Sequence, residues 1–310
     1  MKMNNLFNRN MSVEQKDKFT QAMKEVDWRN PDERYAVAVE IIKFVKEDVY
    51  RDDIVSLIAQ VENFNEGESL EFHVLRELIA YIVEPGGFAN RVTPIKDVVT
   101  LPTQEVNVAI ELNISQLRSG RWGQIEDFRG KAAEALLGRK NKLVWDTVFG
   151  TIGVDTTAGN YATFASGDSA ATKRSALDTA LSYVHDNTNE GPRAIIARYT
   201  ALEWLQDLGT TYFSDTIRDS INNTGFLGLY KGTPIIRLRS YQDENAVQMI
   251  NANHIMVIGN SNIKFGIVNP GLEVEESYEG TKNRNWTIAF WEKYGCAVVE
   301  PSKMYHLEIS

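Results

Sequence analysis

One stretch constrains this chain's fold more than any other. Val106, Val108, Ile110, Leu112 and Ile114 alternate strictly, and the chain then runs almost directly into a very long helical pattern. Glu105, Asn107, Ala109, Glu111 and Asn113 fill the intervening positions, so the strand has one apolar face and one largely wet face. From Trp122 to about Val148, Ile125, Phe128, Ala132, Ala135, Leu136, Leu143 and Thr147 recur at three- and four-residue steps and stack on one helix face. Arg129 and Lys140 flank that stripe and are expected to tolerate alanine. At 1.5 Å per residue the helix is ~40 Å long, well above the usual three turns or so. A long ribbon feeding a long spine is hard to bury inside one compact domain. It is expected in a subunit that completes its core against neighbours.

The segments around this spine read as an α+β chain. Ser12, with Gln15 three residues on, caps a helix carrying Phe19, Met23 and Val26. After Asn30-Pro31, residues 31–47 place Tyr35, Val39, Ile42 and Val45 on one side, and Ile54, Leu57, Ile58 and Val61 form a shorter helical pattern. The many charges predict an arm that lies on other subunits. Asn65-Glu66-Gly67-Glu68 is a turn, and residues 69–83 fit both alternation and a helix; Tyr81, Ile82 and Val83, ending at Pro85-Gly86-Gly87, favour an extended arm. Pairing it with residues 98–117 makes a long hairpin with its tip around 84–95, and such a ribbon must pack on something else. Beyond the spine the pattern predicts a loop at 150–169, helices at 170–185, 201–208 and 214–221, and strands at 193–198, 233–238, 255–258, 264–268 and 272–276. A last ribbon spans 286–299.

With 310 residues the chain has ample length for a core, and 43% hydrophobic with 24% charged residues is ordinary for a globular protein. A net charge of −9 argues against a nucleic-acid-gripping surface, although a container that merely encloses DNA fits it. The lone Cys296 excludes an intrachain disulfide and suits a reducing cytoplasm, and residues 1–10 carry no apolar signal-peptide core.

The chemistry search returns no catalytic, cofactor-binding or metal-binding residue. His73, His185, His254 and His306 are widely spaced and form no ligand set. No phosphate-cradling glycine loop occurs, and Tyr230-Lys231-Gly232-Thr233 reads as a turn into a strand. Ser169 reads as an N-cap with Lys173 solvated behind it. Asp52-Asp53 and Glu275-Glu276 are carboxylate pairs of the kind acid–base work uses, but strand neighbours point to opposite faces, so Glu275-Glu276 reads as solvated charges, and Cys296 as a small buried side chain. Trp122, Trp145, Trp204, Trp286 and Trp291 are expected in cores or interfaces.

The order of elements, together with several phrases, resembles the major capsid protein of tailed bacteriophages, the Hong Kong 97 type of fold. The phrases are Ala80-Tyr81-Ile82-Val83-Glu84-Pro85-Gly86-Gly87, Ile114-Ser115-Gln116-Leu117, Leu229-Tyr230-Lys231-Gly232-Thr233-Pro234-Ile235-Ile236 and Tyr294-Gly295-Cys296-Ala297-Val298-Val299-Glu300-Pro301. The resemblance implies an N-terminal helical arm (1–62), an E-loop ribbon (63–117), a P-domain with the spine helix (118–190), an α/β A-domain (191–285) and a closing ribbon returning to the P-domain (286–310). It implies a non-enzymatic, self-assembling shell of hexamers and pentamers around double-stranded DNA, with no cofactor. Portal and scaffolding proteins are the implied partners, with a decoration protein possible, and no membrane is involved. The implied location is the virion, assembled in the host cytoplasm. Some relatives cross-link an E-loop lysine to an asparagine of another subunit; Lys96 is the lysine near the expected tip, and an ordinary exposed role is favoured for it. The competing readings are an encapsulin-type cargo shell and a soluble α+β enzyme with an unrecognised site.

Overall fold

The structure is a computed structural model that describes residues 25–51, 55–75, 96–114, 122–152, 159–205, 228–238, 242, 248–268, 274–279 and 285–310. Helix α1 (Pro31–Arg51) opens where the Asn30 side chain accepts a hydrogen bond from the Asp32 amide at 3.1 Å, with Asp32 and Glu33 in the positive first turn. Its apolar residues go into the subunit's own core: Val37, Ala38, Ile41, Ile42 and Val45 pack with Leu136, Leu137, Ile110, Leu112, Trp286 and Ile288. The expectation that this arm rests on other subunits is therefore corrected for residues 25–51. The reason is local: Trp28 meets Trp286 edge-on at 5.3 Å, and Arg34 donates to the Trp28 carbonyl at 3.0 Å, which anchors the chain before the helix begins. Residues 1–24, including the Ser12 helix, lie outside the described residues.

Helix α2 (Val55–Ile58) is a single turn, and the chain then enters strand β1 (Gln60–Phe64). Val61, read as helical, instead sits opposite Phe265 in a parallel pairing, a case of tertiary pairing overriding a short periodic signal. Strands β2 (Glu71–Leu75) and β3 (Lys96–Thr100) pair antiparallel from Glu71–Thr100 to Leu75–Lys96. This is the base of the expected hairpin; residues 76–95 lie outside the described residues. The return arm does not continue along β2. After Leu101-Pro102 it becomes β4 (Thr103–Asn113), which pairs with β12 (Asn285–Val298) from Asn113–Asn285 to Thr103–Gly295. The alternation read in β4 is the cause: Ile110 and Leu112 share one buried layer with Trp286, Ile288 and Phe290. β12 is the hub of the first sheet. It also pairs with β10 (Ile263–Val268) along one half and with β11 (Val274–Glu279) along the other, and β1 extends β10.

The spine is α3 (Trp122–Ile152). Its buried side is broader than a single stripe: Ala132, Ala133, Leu136, Leu137, Lys140, Asn141, Leu143, Val144, Trp145, Val148 and Ile152 are buried, while Ala135 is exposed. The helix widens its buried arc because α1 covers one side of it while both sheets press on others.

The second sheet runs in the order β5 (Tyr161–Phe164), β13 (Met304–Ile309), β9 (His254–Gly259), β6 (Pro192–Arg198), β8 (Thr233–Leu238) and β7 (Leu229–Tyr230). Helix α4 (Ala170–Asp186) covers one face and the C-terminal half of α3 the other. The expected loop at 150–169 thus holds the end of α3 and a strand. The expected helix at 201–208 is α5 (Tyr199–Leu202) followed by a 3-10 turn (Glu203–Leu205), and the helix read at 214–221 lies outside the described residues. Sheet membership differs from the sequence reading at three strands. β10 and β11 belong with β12 rather than with the 191–285 unit, and β13 joins the second sheet while β12 alone returns to the first.

Candidate functional site

The first sheet has two kinds of outer surface. Along β4, Glu105, Asn107, Ala109 and Glu111 are exposed, and the Asn285 amide donates to the Glu111 carboxylate. Toward the other end the root of the β2–β3 ribbon lies on the sheet. Leu101 and Phe72 are buried there with Phe64, and Leu70 packs against them, a small cluster separate from the main cores. The Phe64 and Phe72 rings meet edge-on at 5.8 Å, and the Leu101 amide donates to the Leu70 carbonyl at 2.9 Å. The Lys264 ammonium lies 5.6 Å from the Phe72 ring centre and donates to Gln60; burial lowers its pKa, offset in part by Glu62.

Three polar contacts lie in the interior, two between layers and one within the second sheet. The first joins α1 to β12: the Lys46 ammonium stands 3.3 Å from the Glu292 carboxylate with both side chains almost wholly buried. The second is Lys140, 1% exposed, whose ammonium lies 5.3 Å from the Phe265 ring centre and 5.6 Å from that of Tyr294. It is a buried cation between aromatic faces, not the tolerant flanking residue the helix pattern suggested.

The third contact joins His254 and His306, read as isolated but set with ring nitrogens 2.9 Å apart, Nδ1 to Nε2. Phe149 of the spine and Tyr161 of β5 pack against them, and the Tyr161 hydroxyl donates to Glu308. Burial and the neighbouring His306 lower the His254 pKa, with Glu308 opposing. Burial and the bond to Glu308 push Tyr161 to about 12. Fifty-two residues separate the two histidines, so no local spacing signals the pair.

The other sequence candidates are structural. Ser169 accepts from the Thr172 amide as the N-cap of α4, and Lys173 donates to the Ser166 carbonyl at 2.6 Å. Cys296 is buried, and burial drives its thiol to about 12 despite a hydrogen bond with Thr147, so it is no nucleophile. Lys231 (φ +48°) and Gly232 (φ +82°) form a tight hairpin turn, clasped by Asp178, which accepts from the Tyr230 hydroxyl at 2.8 Å and pairs with Lys231 at 2.7 Å. Trp145, Trp204 and Trp286 are buried. Lys96 lies in β3, Glu275 and Glu276 lie in β11, and Asp52 and Asp53 fall outside the described residues. Among the described residues no group of three or more His, Cys, Asp or Glu is placed to hold a metal ion. No helix among them is long and apolar enough to cross a membrane.

A ribbon rooted on one sheet, a spine helix shared by two sheets, and a mixed second sheet wrapped by helices define the Hong Kong 97 type of capsid fold. Solved structures with this fold superpose over most of the chain. A structure of Mycobacterium phage Che8 has 16% identity and a TM-score of 0.54, covering 77% of this chain and 85% of that one. The capsid of Cyanophage P-SCSP1u has 12% identity and a TM-score of 0.59, covering 81% and 86%. A virus-like particle from Pyrococcus furiosus has 17% identity and a TM-score of 0.56, covering 86% and 96%. No protein-family model and no curated protein sequence matches the chain.

Proposed function

We propose that this chain is a major capsid protein that self-assembles, as hexamers and pentamers, into an icosahedral shell enclosing the double-stranded DNA of a tailed phage. The observation that carries the reading is the fold: solved phage capsid structures match it over roughly four-fifths of this chain and nearly nine-tenths of theirs. The functional division follows the sequence reading with the strand changes above. Residues 1–62 are the N-terminal arm, whose α1 belongs to the subunit core. Residues 63–117 are the E-loop, whose return strand β4 belongs to the P-domain sheet. The P-domain holds α3, β10, β11 and β12, and the A-domain holds the second sheet, β13 included. The shell acts by packing rather than chemistry, is a virion component assembled in the host cytoplasm, and works with portal and scaffolding proteins. The net charge of −9 suits a container that must not grip its genome.

Negative-stain microscopy of the expressed full chain, with its scaffold if one is required, tests the proposal. Closed icosahedral particles are expected, and a small oligomer as the final state overturns it. Particles isolated from the native host should hold DNA, whereas protein cargo in its place would point to the encapsulin reading. The unassembled chain should bind DNA no better than other acidic proteins in a low-salt mobility shift.

A further inference from the structure

Gly266 and Gly295 face each other across the β10–β12 pairing, on the side of the sheet opposite the buried Phe265, Tyr294 and Cys296. What lies over them is the root of the β2–β3 ribbon. A Cβ at Gly266 would stand 2.7 Å from Leu101 Cδ1, 3.1 Å from a Phe64 ring carbon and 3.2 Å from Leu70 Cδ2. At Gly295 it would stand 2.8 Å from Leu101 Cβ, 3.2 Å from Leu70 Cδ2 and 3.4 Å from the Pro102 carbonyl oxygen. Neither glycine has a positive φ, so backbone conformation does not demand glycine at either position. Close approach does. Leu101 and Leu70 also clasp each other through the backbone bond already described, so the ribbon enters and leaves the sheet at one seated point.

We infer that Gly266 and Gly295 form a socket in which Leu101 and Leu70 seat, and that this socket sets the direction in which the ribbon leaves the sheet. Alternation holds a strand in register but leaves the angle of a two-stranded ribbon free; a ribbon alone is too weak to fix its own course. The socket supplies that missing constraint through shape alone. Its two glycines differ in what they tolerate. The tightest contact at Gly266 is the far end of a flexible side chain, which shortening Leu101 removes. At Gly295 it is Leu101 Cβ, which any residue except glycine retains.

The test uses the full chain with spin labels on cysteines at Val98 in β3 and Ala109 in β4, both exposed; Cys296 is buried and stays unlabelled. The pulsed-EPR distance distribution between them is expected to be narrow in the parent. Gly266→Ala should shift or broaden it, and Leu101→Ala in the same chain should bring it back toward the parent mean. Gly295→Ala should shift it with no recovery from Leu101→Ala. Leu101→Ala alone should broaden it without unfolding, which keeps the inference testable if a glycine variant fails to fold. Unchanged distributions in Gly266→Ala or Leu101→Ala overturn the inference. The consequence for shell formation rests on the capsid reading: variants with a displaced ribbon should yield at least tenfold fewer closed particles. A parent chain that forms no particles while the distances shift as expected sinks the capsid reading and leaves the socket standing.

Discussion

The sheet built on β12 and the sheet built on β9 share α3 as a common support but differ in what they leave uncovered. Along β12 burial alternates: Trp286, Ile288, Phe290 and Tyr294 are buried, while Thr287, Ala289 and Trp291 between them are half-buried. Along β9 all six residues are buried, because α4 closes one face and the spine the other. A doubly covered sheet is complete within its subunit. Among the described residues the first sheet is covered once, with a ribbon seated on part of its outer face, and keeps exposed surface along β4. The comparison separates a half of the molecule covered on both faces from one that, among the described residues, keeps an outer face open.

The sharpest way to break the comparison is to place the same charge on each side of the first sheet. Leu136→Asp puts a carboxylate where α1, α3 and β12 meet, and should cost about 5 kcal/mol, near the limit of what a domain survives. Ala109→Asp on the uncovered face should cost less than ~0.5 kcal/mol. Urea unfolding of the two variants measures the difference, and equal losses would mean the outer face is not free.

Next in size is the joint between α1 and β12. Lys46→Ala takes away the ammonium facing Glu292 while the carboxylate stays buried, a loss of about 3 kcal/mol by thermal unfolding. Combining Lys46→Met with Glu292→Leu should recover most of it. At Lys140, alanine empties the space beside Phe265 and Tyr294 and should cost about 2 kcal/mol, whereas Lys140→Met keeps the volume and should cost less.

The second sheet should answer to acid through His254. The depressed His254 pKa means that below about 6.5 the unfolded chain takes up a proton the folded one refuses. Stability should therefore be full above that pH and fall as the solution is acidified, until the folded-state value is reached. The slope contributed by His254 is at most about 1.4 kcal/mol per pH unit. Melting curves from pH 7.5 to 5 should show it, and His254→Gln should flatten it. Ser169→Ala should cost about 1 kcal/mol from the lost cap of α4, read by thermal unfolding.

What the sequence made legible divides along the same line. β4 and β12 were readable because one-sided burial writes alternation into the chain, and α4 because Ser169 marks its start. β5 has no signal in the sequence, and β13 reads only as part of the closing ribbon. Tyr161–Phe164 sits among Gly, Ser and Thr residues, and Met304–Ile309 lies in a sheet interior where neither strand face needs to be polar. The inclusion of α1 in the core rests on Trp28 meeting Trp286, a contact that no local window contains. Lys140 shows the limit of polarity as a guide: a lysine stem and ammonium can fill a core when aromatic faces receive the charge. The histidine pair and the glycine socket are long-range meetings of residues that look unremarkable singly.

The strand order also governs when this molecule becomes a molecule. β12 is the partner of β4, β10 and β11, and β13 bridges β5 to β9, so residues 285–309 supply an interior strand to both sheets. Among the described residues β4, β5 and β11 have no other strand partner and wait for them, whereas β2–β3 and β6–β8 can pair earlier. During synthesis the ribosome releases β4 well over a hundred residues before its mate, and β5 similarly far ahead of its own. Such pairings close late and slowly, because long loops must be drawn in before any contact rewards them. A nascent chain cannot complete either sheet until nearly all of it has been made.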